Sequence, residues 1–166
     1  MSKTDTVKTR HIFVNIDEAR EITFTMRVLF EIETAFETVS AAFAALFGEN
    51  AEETCAYIIS ICAKTPIDKV RPYINADNLF YFQTNILETA FADLPDADGI
   101  EPQSAGSQID WDYLRFIARV KLRFSDREFW KITPRALMKY ISLYTQSIGG
   151  GAGLSPKTAF IDELGF

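Results

Sequence analysis

Phe124–Tyr144, FSDREFWKITPRALMKYISLY, is the most informative stretch of this chain. Ser125 followed by Glu128 reads as a capping box. The serine oxygen accepts the Glu128 N–H, and the glutamate reaches back to the Ser125 N–H. A short helical turn then carries Phe129 and Trp130. Thr133-Pro134 restarts the chain, because threonine is a good N-cap and proline at the first helical position loses no hydrogen bond. Leu137, Met138, Ile141 and Tyr144 follow at helical spacing. Two helix starts therefore flank a corner that holds a large aromatic pair. Phe129 and Trp130 are either the core of that corner, as aromatic pairs usually are, or a contact for a partner.

Upstream, Asp110 or Asp112 caps a helix with Trp111, Leu114, Ile117, Ala118 and Leu122 on one side. Arg115, Arg119 and Arg123 are spaced by four and share another face. Arg127, Lys131, Arg135 and Lys139 continue the spacing, but the caps at Ser125 and Thr133 forbid one straight stripe. These cations are either a solvated helix face or a positive surface for an acidic protein partner. Nucleic acid fits less well, because single-strand binders interleave exposed aromatics in a basic groove, and the aromatics here read as buried.

At the other end, residues 1–9 are polar and expected to fray. Ile12, Val14 and Ile16 alternate, as do Ile22 and Phe24, around the polar Asp17–Arg20, which predicts a β-hairpin with a four-residue loop. A lone hairpin is marginal in water, so it must lie on something apolar. Thr25 then caps a helical stretch. Leu29, Phe30, Ile32, Phe36, Val39, Phe43, Leu46 and Phe47 form its buried face, with Glu31, Glu33 and Glu37 on the polar side. Thr38 or Ser40 predicts a kink, and Gly48 a stop. Phe30, Phe36 and Phe43 are expected to be buried together with Val14 and Phe24.

Asn50 with Glu53 predicts a capped helix to about Lys64, and Thr65-Pro66 a short turn ending near Pro72. Ile74, Asn75 and Leu79 suit a hydrophobic staple. A helix over 76–92 follows, carrying Leu79, Phe82 or Phe80, Ile86, Leu87 and Phe91. DLPDADGIEPQSAGSQ, residues 93–108, has linker composition. Past Ser147, GGGAG is a flexible expectation, and Phe160, Ile161, Leu164 and Phe166 suit a short docking segment. The division is a hairpin plus helical core over 1–95, a linker over 96–109, a helical C-terminal segment over 110–148, and a tail over 149–166.

Composition bounds the function. A chain of 166 residues, 48% apolar and 13% aromatic, has enough for a real core. Net charge is −6, unevenly placed: 8 basic and 16 acidic side chains through Ile100, then 9 basic and 7 acidic. The acidic bulk argues against nucleic acid as a partner of the main domain. No secretory h-region opens the chain, and the longest apolar run, Ala41 to Phe47, falls far short of the ~20 residues that span a bilayer. A cytoplasmic protein without membrane contact is expected. Cys55 and Cys62 lie seven apart on one helix face, about 10 Å along the axis. That exceeds the roughly 7 Å reach of a disulfide, so buried free thiols are expected.

Catalytic constellations are refused one by one. His11, the only histidine, stands in a predicted strand near a frayed end, which suits neither a triad nor a zinc site. GGGAGLSPKT fails as a phosphate loop: Pro156 stands where glycine should precede the lysine, and a helix, not a strand, comes before it. Glu52-Glu53 and Asp110/Asp112 suit helix N-terminal charges. No cofactor, no metal and no enzymatic activity are expected.

Two motifs carry a family resemblance. The run Phe129, Trp130, Ile132, Thr133, Pro134, Arg135 and Leu137, an F-W-x-[IL]-T-P-R-x-L pattern, resembles the tail assembly chaperones of long-tailed bacteriophages and the related gene transfer agents. A short hairpin running into Leu29, Ile32, Glu33, Ala35 and Phe36, an L-x-x-[LI]-E-x-A-[FL] helix, resembles the start of the same families. They often place a glycine after that helix, where Glu37-Thr38 stand here. The resemblance implies a mainly α-helical, non-enzymatic protein that coats the tape-measure protein and recruits major tail tube subunits. It also implies a host-cytoplasmic protein absent from the finished virion, with homo-oligomerisation left open. In some members a frameshift adds a C-terminal extension that contacts the tube protein, a layout similar to the acidic core, linker and basic segment here. Arg115, Arg119, Arg123, Phe129, Trp130, Pro134 and Arg135 are then the candidate partner-binding residues. The rival reading is a small helical adaptor or regulatory protein that binds a single phage or host protein.

Overall fold

The computed structural model describes residues 11–91 and 108–148, so most of the linker and all of the tail lie outside the described residues. The fold is mainly α-helical, with a two-stranded antiparallel hairpin packed on helices. Strands β1 (Ile12–Asn15) and β2 (Ala19–Ile22) pair Ile12 with Ile22 and Asn15 with Ala19. The loop is therefore three residues, one shorter than the sequence predicts. Asp17 tightens it: its carboxylate accepts from the Glu18 N–H at 2.9 Å and from Arg20 Nε and Nη2, both at 2.8 Å.

The Arg20 bonds lower the Asp17 pKa from the usual 3.8 to about 2. A carboxyl depressed on folding stabilises the hairpin above its unfolded pKa, and the contribution is lost as pH falls from the ordinary range towards about 2. Arg20→Ala is expected to return the Asp17 midpoint to the ordinary range in an NMR titration. A midpoint that stays near its low value would refute the assignment to Arg20.

Among the described residues, eight α-helices follow the hairpin in two groups. The first group is α1 (Met26–Phe36), α2 (Val39–Ala45), α3 (Ala51–Cys62), α4 (Ile67–Val70) with a 3-10 turn over Arg71–Tyr73, and α5 (Leu79–Phe91). The second is α6 (Trp111–Phe116), continued by a π-helical turn over Ile117–Lys121, then α7 (Asp126–Lys131) and α8 (Pro134–Ser147). Thr25, Thr38, Asp110, Ser125 and Thr133 each cap the helix they precede through a side-chain oxygen. Asn50 makes no such bond. Its expected partner Glu53 is engaged instead by Arg71, at 2.9 and 2.5 Å.

The kink falls at Glu37, whose φ of 68° is the left-handed conformation that glycine adopts most easily. Lys64 is left-handed too, and the Thr65 N–H returns to the Ser60 carbonyl at 2.9 Å, closing α3 with a Schellman motif.

One continuous core joins the inner face of the hairpin to both groups of helices. Phe24 stacks on Phe43 with ring centroids 6.1 Å apart, and Val14 is fully buried in the same core. Phe36 packs against this core only partly buried, and Phe30 lies outside it. Phe36 is half-buried edge-on to Tyr57, and Phe30 faces the C-terminal helices. Phe82, not Phe80, fills the α5 core position. Phe47 is 62% exposed because α2 ends at Ala45 and the chain turns away from the stripe. Gln83 is buried and donates to the Leu46 carbonyl at 2.6 Å, satisfying the open end of α2. Cys55 and Cys62 are buried free thiols. Burial pushes Cys55 up to about 12 and raises Cys62 as well, with Glu31 adding to the second. Neither forms a thiolate at neutral pH. No helix among the described residues is long and apolar enough to cross a membrane.

Candidate partner-binding site

The C-terminal segment is fastened to α1 at three points. The first is Glu33, assigned to the polar side by its chemistry but only 7% exposed. One of its oxygens accepts from the Ile109 N–H at 2.7 Å, and the other accepts from Trp111 Nε1. The second is the Ile132 carbonyl, which accepts from the Met26 N–H at 2.9 Å. Met26 opens α1, so this bond satisfies one of the donors that a helix start leaves open. The third is aromatic. Phe30 lies 5.3 Å from both Trp111 and Trp130, edge-on to each, and the two tryptophans are 5.9 Å apart.

Local sequence places Trp130 in this cluster. Ser125 and Glu128 form the expected capping box, with Ser125 N donating to Glu128 Oε2 at 2.7 Å and Ser125 Oγ accepting from Glu128 N at 3.3 Å. Hydrogen bonds from Ser125 hold the Glu128 pKa below the usual carboxylate range. The box sets the phase of α7, so that Phe129 points into the core and is fully buried. Trp130, the next residue, stays half-buried at the rim, 4.9 Å from Phe129. Arg27 lies over its ring at 4.7 Å, and Arg115 at 5.9 Å, both within cation–π range. Arg115 Nε is buried there without a hydrogen-bond partner.

The candidate residues therefore divide. Phe129 and Pro134 belong to the core, and Trp130 is part core and part surface. Arg135 is half-buried in the first turn of α8. Arg115 and Arg119 both turn to Asp126, at 3.5 and 3.7 Å. Arg123 does not extend their row. The helix widens into a π turn, Leu122 bonds back to Ile117, and Arg123 follows with a φ of 58°. The spacing of four assumed an α-helix through Arg123, and the backbone leaves that path first. The site also includes Arg27, Phe30, Glu33 and Trp111, which sequence reasoning did not assign to it. Glu33 stands seven residues after Met26 and four after Leu29, inside the apolar stripe, and that position was the available signal.

This arrangement offers a half-open indole between two guanidinium groups and a cationic helix face beside it. No group of His, Cys, Asp and Glu among the described residues could hold a metal ion. Comparison with protein-family models, curated proteins and solved structures finds no match to this chain.

Proposed function

We propose that this protein is a tail assembly chaperone of a phage, prophage or gene transfer agent, binding the tape-measure protein and recruiting tail tube subunits without catalysis. The observation that carries the reading is the meeting of the two motifs. They stand about 90 residues apart, yet the helix that holds the first packs on the second: Phe30, at an unspecified position of the first motif, lies 5.3 Å from Trp130, and Met26, ahead of that motif, bonds to Ile132. Two stretches that resemble one family by sequence thus build a single unit, as parts of one functional design would.

Within this reading the cationic face beside Trp130 meets the tube subunit, and the acidic hairpin and first helices face the tape-measure protein. Exposed charges act mainly on the rate of encounter, and salt weakens them. Arg119, with its side chain 56% exposed, is the residue to test. Arg119→Glu is expected to slow association with the tube protein by on the order of tenfold at low salt. Folding should be unchanged, since an exposed pair contributes only about 0–1 kcal/mol. Unaltered association kinetics at low salt would remove the basic face from the mechanism. Co-purification with the tape-measure and tube proteins of the neighbouring genes tests the reading as a whole. Capture of neither would favour the small-adaptor alternative.

A further inference from the structure

The outer side of α8 is apolar and only partly covered. The helix packs against the π turn and buries Leu137 and Ile141. Ala136, Tyr140, Leu143 and Ser147 follow one another at steps of four and three, so they form a second stripe beside the buried one. Phe124 meets Tyr140 edge-on at 5.4 Å, yet Tyr140 stays 49% exposed and Leu143 50%. Ile148, just past the helix, is equally open. Arg135 and Lys139, four apart, border the stripe, and α8 contains no acidic residue.

The sequence that follows this helix fits the stripe. Residues 149–166 lie outside the described residues, but they carry the signals of one more short helix. Gly149, Gly150, Gly151 and Gly153 suit a turn. Ser155-Pro156 repeats the N-cap and first-position proline of Thr133-Pro134, and Gly165 is a stop. A helix over 156–164 places Phe160, Ile161 and Leu164 on one face, with the acids Asp162 and Glu163 beside it. At a rise of about 1.5 Å per residue it is about 14 Å long, and the stripe over 136–147 is about 18 Å long. So short a helix is marginal in water unless it packs on something. The spacer over 149–155 falls within the range of about two to eight residues that joins neighbouring helices.

We propose that residues 156–164 fold back on α8 of the same chain as an antiparallel helix and cover the stripe at Tyr140 and Leu143. Antiparallel pairing brings Phe160 level with Leu143, and Glu163 level with Tyr140, beside Lys139. The acids of the segment then meet cations. Residues 11–91, with 12 acidic and 5 basic side chains, would repel them. The segment acts as a built-in cover, and a partner that seats on this stripe must displace it. The inference does not rest on the chaperone reading, since cover and stripe belong to one chain.

The test is hydrogen exchange followed by mass spectrometry on the full chain. Residues 156–164 should exchange on the order of tenfold more slowly than an unstructured peptide of the same sequence. That protection should be the same over a roughly hundredfold range of protein concentration. Leu143→Glu and Leu164→Lys should each abolish it, with circular dichroism verifying that each chain is folded. Glu163→Lys should weaken it, and adding Lys139→Glu should restore it. This charge exchange decides the docking site should Leu143→Glu unfold α8. Four results would each overturn the proposal: exchange of 156–164 at the unstructured rate, protection that survives Leu143→Glu in a folded chain, a charge exchange that restores nothing, or protection that rises with concentration. The last would seat the segment on a second copy.

Discussion

Glu33→Ala is expected to release the C-terminal segment from α1. The substitution leaves the Ile109 N–H and the Trp111 indole N–H without their acceptor, in a position only 7% exposed. A buried donor left unpaired costs about 1–3 kcal/mol; the Ile109 N–H is buried and the Trp111 N–H only partly so, which puts the loss at about 2–4 kcal/mol. That is a large part of the stability of an ordinary domain, which is about 5–15 kcal/mol. The loss should be local at first. The hairpin and α1–α5 keep their own buried residues, while Trp111 and Trp130 move into water. Urea unfolding followed by tryptophan fluorescence should show an early transition absent from the wild type, with emission shifted to the red. Glu33→Gln keeps one carbonyl acceptor and should lose roughly half as much. A Glu33→Ala protein within about 1 kcal/mol of the wild type would mean that these bonds do not hold the segment.

The helix starts were legible because capping is local chemistry. Thr25, Asp110, Ser125 and Thr133 each find their acceptor role within three residues, so a reading of neighbours suffices. The inner face of the hairpin was legible for the same reason: alternation is a property of the strand itself. Glu33 shows where local reading stops. Its donors are 76 and 78 residues away, and nothing near it in sequence announces them. Chemistry placed it outside, while its position in the stripe placed it inside, and position prevailed because two long-range donors satisfied its oxygens.

Asn50 and Phe47 make a related point. The Asn50–Glu53 pattern is a valid capping signal, but Arg71 competes for the same carboxylate and a charge-assisted pair of bonds prevails. Phe47 continues a helical period past the place where the helix ends. The candidate site was half legible. The capping box and helix restart of the corner follow from local sequence, but the split between Phe129 and Trp130 depends on α1 and α6 arriving from elsewhere in the chain. The row of arginines failed at Arg123 because a π turn changes the spacing, and periodicity alone gives no sign of such a turn.

That split yields the second large effect. Phe129→Ala is expected to cost about 3–5 kcal/mol, because it removes a fully buried ring at the junction of α7 with the core. For a chain of this length the midpoint of thermal unfolding should fall by about 6–20 °C. Trp130→Ala removes a half-buried ring one residue further on. Its loss comprises part of an apolar burial, the edge contacts with Phe30 and Phe129, and two cation–π contacts of about 0.5–1 kcal/mol each. The capping box that starts α7 remains, so the segment should stay helical. The two variants therefore separate two roles for one motif. Phe129→Ala should lose helix content and partner binding together, whereas Trp130→Ala should keep most of its helix content and lose binding selectively. Circular dichroism and a titration with the tube protein on both variants decide the matter. Equal loss of helix content in the two would make Trp130 a core residue like its neighbour, and full binding by a folded Trp130→Ala would take the indole out of the recognition surface.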